Sequence, residues 1–278
     1  MPFFKGVLIQ ATGEAHSKLR GKAMEAISLL AVAVGLEVFS KDAKEVLNTL
    51  LLIQGMNLHF PSKISHTVPA GPMDEQQVPF LQQAWARLCK ALGKDFVPYL
   101  PALVPPLVIS AKLPADLKVV TEAESHTIDQ ERWRRLTFED DKYLAINMDR
   151  IQEKSAALTM LFWLADELEE HFFTYVDKLV PVCEESLRFY HNEQVRIASA
   201  SLIPCILKCI TAYLRTSPQD INAAPHVQAL FTKVLTDLLG AMEDEPNMDV
   251  LVSFLSSLQI VSETTALSTK LTWDSPLG

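Results

Sequence analysis

Gly93-Lys94-Asp95-Phe96-Val97-Pro98-Tyr99-Leu100-Pro101-Ala102-Leu103-Val104-Pro105 decides the fold, because its skeleton returns further along the chain. His171-Phe172-Phe173-Thr174-Tyr175-Val176-Asp177-Lys178-Leu179-Val180-Pro181 repeats the order Phe-x-x-Tyr-x-x-x-Leu-Val-Pro. A weaker copy, Gly35-Leu36-Glu37-Val38-Phe39, lacks the Tyr and the Pro. Each copy follows a long apolar run, and an apolar residue stands eight places before each Phe: Ala31, Leu88 and Leu164. Self-similarity at this scale marks stacked supersecondary units, each unable to bury its apolar face alone.

Reading outward, apolar residues recur at helical spacing. The first complete helix is expected over 14–34, with Leu19, Ala23, Ile27, Leu30 and Val34 facing inward. Ala43, Val46, Leu47, Leu50 and Leu51 mark the next, and Leu81, Trp85, Leu88 and Leu92 the one after it. Leu158, Leu161, Phe162, Ala165 and Leu168 then share a face widened by Met160 and Leu164. Pro105, Pro106 and Pro181 are expected to bend, shorten or break their helices, since each removes a backbone donor. Two stretches have no sustained period and read as loops, 55–73 with its prolines and 112–147 with eight acids and six bases. The result is a single array over 1–278 of about five two-helix units, the first incomplete. The end segments fit no complete repeat, which suggests an internal piece of a longer array.

Composition narrows the function. The chain has 25 basic and 34 acidic residues, a formal net charge of −9, which disfavours nucleic-acid phosphate and favours a basic protein segment as partner. No uninterrupted apolar run approaches the ~20 residues of a membrane span. Cys89, Cys183, Cys205 and Cys209 all lie in apolar helical runs and read as buried reduced thiols. Cys205 and Cys209 are four apart, but no His or second Cys pair completes a zinc set. Glu167 and His171 are likewise four apart and lack a third ligand. Without a phosphate loop, a Gly-x-Ser-x-Gly elbow or a His-Glu-x-x-His helix, no enzyme, cofactor or metal is expected.

Paired helices, a Pro in the first and Val195-Arg196 near the start of a second resemble HEAT repeats. The ordered set Leu19-Arg20-Gly21-Lys22-Ala23, Ala84-Trp85-Ala86-Arg87-Leu88, Glu153-Lys154-Ser155-Ala156, Leu187-Arg188-Phe189-Tyr190-His191 and Glu245-Pro246-Asn247-Met248-Asp249 resembles the importin-beta (karyopherin-beta) family. The resemblance implies an all-α HEAT-repeat solenoid, a right-handed superhelical stack of antiparallel helix pairs. It also implies a nuclear transport receptor that carries cargo with lysine-rich import signals through the nuclear pore and releases it to Ran-GTP. Phe-Gly nucleoporins would be further partners, and the protein would shuttle between cytoplasm and nucleus. Arg20 and Arg196 are expected to pair with acids of adjoining repeats. The alternative is a HEAT scaffold that organises a phosphatase or kinase complex.

In such a receptor the second helix of each pair lines the concave, cargo-bearing face. The polar residues this places there are Glu14, Glu25, Asp74, Glu75, Asp149, Glu153, Asp166, Glu193 and Asp249, whose carboxylates could meet lysines at several points. Each has a structural reading too, because Asp74, Asp149 and Glu193 stand at helix starts, where an acid complements the dipole. Trp85 is either core or, if exposed, a slot for an alkyl-ammonium stem. Trp133, a lone aromatic among charges in the 112–147 insertion, is a candidate partner contact, and Phe96, Tyr99, Phe172 and Tyr175 are expected between helices.

Overall fold

The computed structural model describes residues 2–11, 14–53, 77–125, 129, 132–139, 142–216 and 223–273. These form two compact units, Met1–Pro105 and Pro106–Gly278. The 55–73 loop, Asp74 and Glu75 lie outside the described residues.

The first unit contains α1 (Pro2–Gln10), α2 (Ser17–Ile53) and α3 (Val78–Leu92) and ends in α4 (Leu100–Ala111), which the unit boundary crosses. Gly35 divides α2 into two helices: its φ of 74° and ψ of 174° lie where only glycine is comfortable. The inward face of the first half is Ala23, Met24, Ile27, Ser28 and Ala31. Leu19 and Val34, expected inward, are exposed. Apolar residues surround this helix, so a stripe drawn from periodicity alone is displaced by part of a turn. Gly21 lets Phe80 of α3 sit almost on its backbone, where a Cβ would come within 2.5 Å of the ring.

The second unit holds α6 (Met148–Leu168), α7 (Val176–Leu187), α8 (Glu193–Thr216), α9 (Ala223–Glu243) and α10 (Met248–Trp273). Helix α8 is central, packing on α6, α7, α9 and α10. Helices α2 and α8 are long and apolar enough to cross a membrane by length and composition, but Gly35 interrupts the first and half of the apolar window of the second is buried among neighbours. Pro181 does not break α7, which runs on to Leu187. Leu179, Val180, Val182 and Cys183 around it are all buried, so packing outweighs one missing donor. Helix α4 likewise continues through Pro105 and Pro106.

The repeated skeleton has a repeated geometry. Between α3 and α4, and again between α6 and α7, the chain makes one 3-10 segment, Gly93–Tyr99 and Glu169–Tyr175. Phe96 and Phe172 are fully buried and lean on their Tyr partners at 5.9 and 5.4 Å. Each segment opens on a residue with positive φ, Gly93 at 51° and Glu169 at 44°, whose N–H closes the preceding helix on the carbonyl of Cys89 or Ala165.

The 112–147 insertion corrects its sequence reading as a loop. It holds a three-stranded antiparallel sheet of order β1-β3-β2, with β1 (Leu117–Thr121), β2 (Trp133–Glu139) and β3 (Lys142–Asn147), and a short helix, α5 (Glu122–Ser125). The strands are short and rich in β-branched and aromatic residues, so they leave no helical period to detect. Hydrogen bonds fasten the sheet to the start of α6: the Asn147 amide donates to Asp116 Oδ2 at 3.0 Å, and the Met148 N–H donates to the Arg132 carbonyl at 2.9 Å.

Candidate functional site

The second helices α6, α8 and α10 lie side by side and begin in the same way. Asn147, Asn192 and Asn247 accept from Asp149 N, Val195 N and Asp249 N at 3.1, 3.1 and 2.9 Å, each capping its helix. Asp149, Glu193 and Asp249 follow within two residues, in the first turn, where a carboxylate complements the helix dipole. The predicted acids therefore have a structural duty, and Asp149 has a second, an ion pair with Arg132 at 2.5 Å. Glu153 is exposed and accepts from Ser110 Oγ at 2.8 Å. Glu193 and Asp249 are exposed and make no ion pair among the described residues. In the first unit Glu25 pairs with Lys22 at 2.7 Å. That hydrogen bond, with the charges of Lys22 and Arg87, holds its carboxyl below the usual range. The Glu14 side chain lies outside the described residues.

Trp85 presents no slot and is corrected as a surface candidate: it is fully buried, edge-on to Phe96 at 6.0 Å. The exposed indole belongs instead to Trp163 on α6, 47% accessible and braced edge-on by Phe162 at 5.0 Å. With Thr159 it forms one side of a cleft of about 230 Å3, and Gln194, Ile197 and Ser201 of α8 form the other. Thr159 and Ser201 spend their hydroxyl protons on the carbonyls of Ser155 and Ile197, at 2.9 and 3.0 Å. What they turn outward are oxygen lone pairs beside an aromatic face, a lining that suits an alkyl chain ending in a donor cation. Further along, Lys208 of α8 bridges Asp166 and Glu169 of the α6 end, each at 3.1 Å. Burial opposes the Lys208 charge, but the hydrogen bonds and charges of the two acids outweigh it and hold the ammonium above the usual lysine range.

Trp133 is half-buried at the start of β2, and Lys118 Nζ stands 4.3 Å from its ring centre, so that face is already occupied from within the chain. All four cysteines are buried free thiols, and burial pushes Cys183 and Cys205 up to about 12. Among the described residues no group of three His, Cys, Asp or Glu is placed to hold a metal ion.

Stacked antiparallel pairs with an invading sheet, and second helices carrying a common cap and an exposed slot, define an all-α HEAT-repeat solenoid. No family model matches the chain. Over 259 residues, 93% of its length, it is 30% identical to importin subunit beta-3 of Saccharomyces cerevisiae, and over 260 residues it is 26% identical to a probable importin-5 homologue of Dictyostelium discoideum. It spans 22% of the length of each of these relatives. The karyopherin Kap121p, solved bound to Ste12p and bound to RanGTP, matches with a TM-score of 0.72 and 30% identity, over 94% of this chain and 22% of that one. The resemblance to the importin-beta family read from the sequence is thus shared with curated relatives and solved karyopherins alike.

Proposed function

We propose that this chain is a segment of an importin-beta-type nuclear transport receptor, its pairs forming one array, and that the exposed face of the second helices α6, α8 and α10 binds protein cargo with lysine-rich import signals. The observation that carries this reading is the Trp163 cleft, an aromatic wall with outward lone pairs on the second-helix face of a chain similar to Kap121p. Lysine stems lie on the indole, and their ammonium groups reach the acceptor oxygens. Glu193 and Asp249, exposed at the starts of α8 and α10, add carboxylates along the same face. Glu153 sits beside Ser110 of α4 and Asp149 beside Arg132, so both contribute less.

In the cell this segment works within a receptor that shuttles between cytoplasm and nucleus, meets Phe-Gly nucleoporins in the pore and gives up cargo to Ran-GTP. It acts by binding and not by catalysis. The test is titration of a fluorescent lysine-rich signal peptide into the folded chain across a salt series, with a neutral peptide of equal length as control. Signal-specific affinity that falls with salt, and falls again in Trp163→Ala, supports the reading; equal affinity for both peptides, or none, refutes it.

A further inference from the structure

The inserted sheet presents a face that nothing in the foregoing function uses. The strand register sets Val119 and Leu136 on either side of Leu144, and Leu117 and Arg134 on either side of Ile146. Alternation along each strand puts these six side chains on one face. Val119 is 58% exposed and Leu136 42%, so an apolar row crosses all three strands in contact with solvent. The face continues into a cleft of about 410 Å3 between Arg134, Leu136 and Ile146 on the sheet side and Tyr190, Glu193 and Pro246 on the helix side.

Charge selects the occupant. Of the four bases on the strands, alternation puts Arg134 and Lys142 on this face and Lys118 and Arg135 on the other, against a single strand acid, Glu139, in a chain whose net charge is −9. Lys118 does not guard the apolar row, since its ammonium is turned over Trp133 on the opposite face. Arg134 stands on the apolar face itself, exposed, with no ion pair among the described residues. An apolar sheet face is ordinarily covered by a helix, and a basic rim selects an acidic one. We propose that this face and its cleft dock an acidic amphipathic helix of a partner protein, its apolar stripe over Val119, Leu144 and Leu136 and a carboxylate on the Arg134 guanidinium. The site adjoins the Trp163 cleft, sharing Gln194 with it, and differs from it in charge preference.

Two synthetic helical peptides test it, one with leucines on one face and glutamates elsewhere, the other with lysines in place of the glutamates. Both are titrated into the whole chain and into Arg134→Glu and Val119→Asp, with circular dichroism to confirm folding. Binding of the glutamate peptide at least tenfold tighter than the lysine peptide, weakened tenfold or more by either substitution, supports the assignment. Retention of lysine-rich signal binding by the same variants separates this site from the second-helix face. Equal binding by wild type and variants, or no binding by the folded chain, overturns it. So does a wild-type dimer in sedimentation that Val119→Asp disperses, because a second copy would then cover the face.

Discussion

Arg196 holds Glu245 through two parallel hydrogen bonds, Nε to Oε2 at 2.8 Å and Nη2 to Oε1 at 2.9 Å, with their side chains only 3% and 1% exposed. The pair joins the start of α8 to the turn before α10. Each partner makes one further bond: Arg196 Nη1 donates to the Phe189 carbonyl at 3.2 Å, and the Asn247 N–H donates to Glu245 Oε1 at 2.9 Å. Removing one member leaves a buried charge without its partner, which costs about 3–5 kcal/mol, whereas an apolar replacement of both can be close to neutral. Arg196→Met and Glu245→Gln should therefore each destabilise the second unit strongly. Urea unfolding of the singles and the double should give a coupling of more than about 1 kcal/mol. Additive effects would show that the pair is an incidental contact.

Glu169 and Gly93 make a reciprocal test of backbone strain. Both have positive φ with ψ near −120°, 44° and −116° for Glu169 against 51° and −126° for Gly93. A side chain at this φ is strained, and no atom stands within 4 Å of a Cβ built on Gly93, so any cost there belongs to the backbone. Gly93→Ala should lose about 1–2 kcal/mol. Glu169→Gly should relieve comparable strain while giving up a half-exposed contact to Lys208, worth ~0–1 kcal/mol, so it should be neutral to mildly stabilising. Thermal unfolding of both variants reads the signs directly, and a strongly destabilised Glu169→Gly would contradict the argument.

The two positions also show what sequence could reveal. The Phe-x-x-Tyr skeleton was legible because both copies obey the same packing: Phe96 and Phe172 are buried at equivalent turns. The Val195-Arg196 pair pointed correctly to an acid from a neighbouring pair. Arg20 donates to the Ala11 carbonyl and to Gln77. The Trp163 slot was hidden because an exposed Trp beside Phe162 in an apolar run looks like more core, and only the 3.6 phase, with Leu161 and Leu164 inward, turns it out. A recurring Asn before an acid at Asn147, Asn192 and Asn247 was available as a signal for the three helix starts. The sheet was beyond reach, because strands of five to seven residues separated by charged turns carry too little periodicity to distinguish them from a loop.

Trp85 and Trp163 should separate stability from binding. Trp85→Ala empties a fully buried site against Phe96 and should cost roughly 3–5 kcal/mol in urea unfolding. Trp163→Ala removes a half-exposed ring and should cost far less, yet weaken a lysine-rich peptide by about 0.5–2 kcal/mol, up to some thirtyfold. Peptide affinity unchanged in a folded Trp163→Ala would move cargo recognition off this cleft.

Lys154 gives the chain a dependence on alkaline pH. Its side chain is buried, donates to the Ala111 carbonyl at the end of α4 and lies 5.1 Å from the Phe189 ring centre. Burial lowers its pKa below the ordinary lysine value, and the charge of Glu185 only partly restores it. In the unfolded chain the same lysine keeps its proton to about pH 10.4. Between the folded and unfolded values the unfolded state therefore binds more protons, and stability contributed at this position rises with pH. Below the folded value the full cost of burying the charge is present. The Lys154→Met variant lacks this titration, so the stability of wild type relative to the variant should climb as pH rises from the folded-state value towards the unfolded one of about 10.4. Parallel pH profiles for the two proteins would mean that the ammonium is as well solvated in the folded state as in the unfolded chain, and that the carbonyl of Ala111 shares it with water.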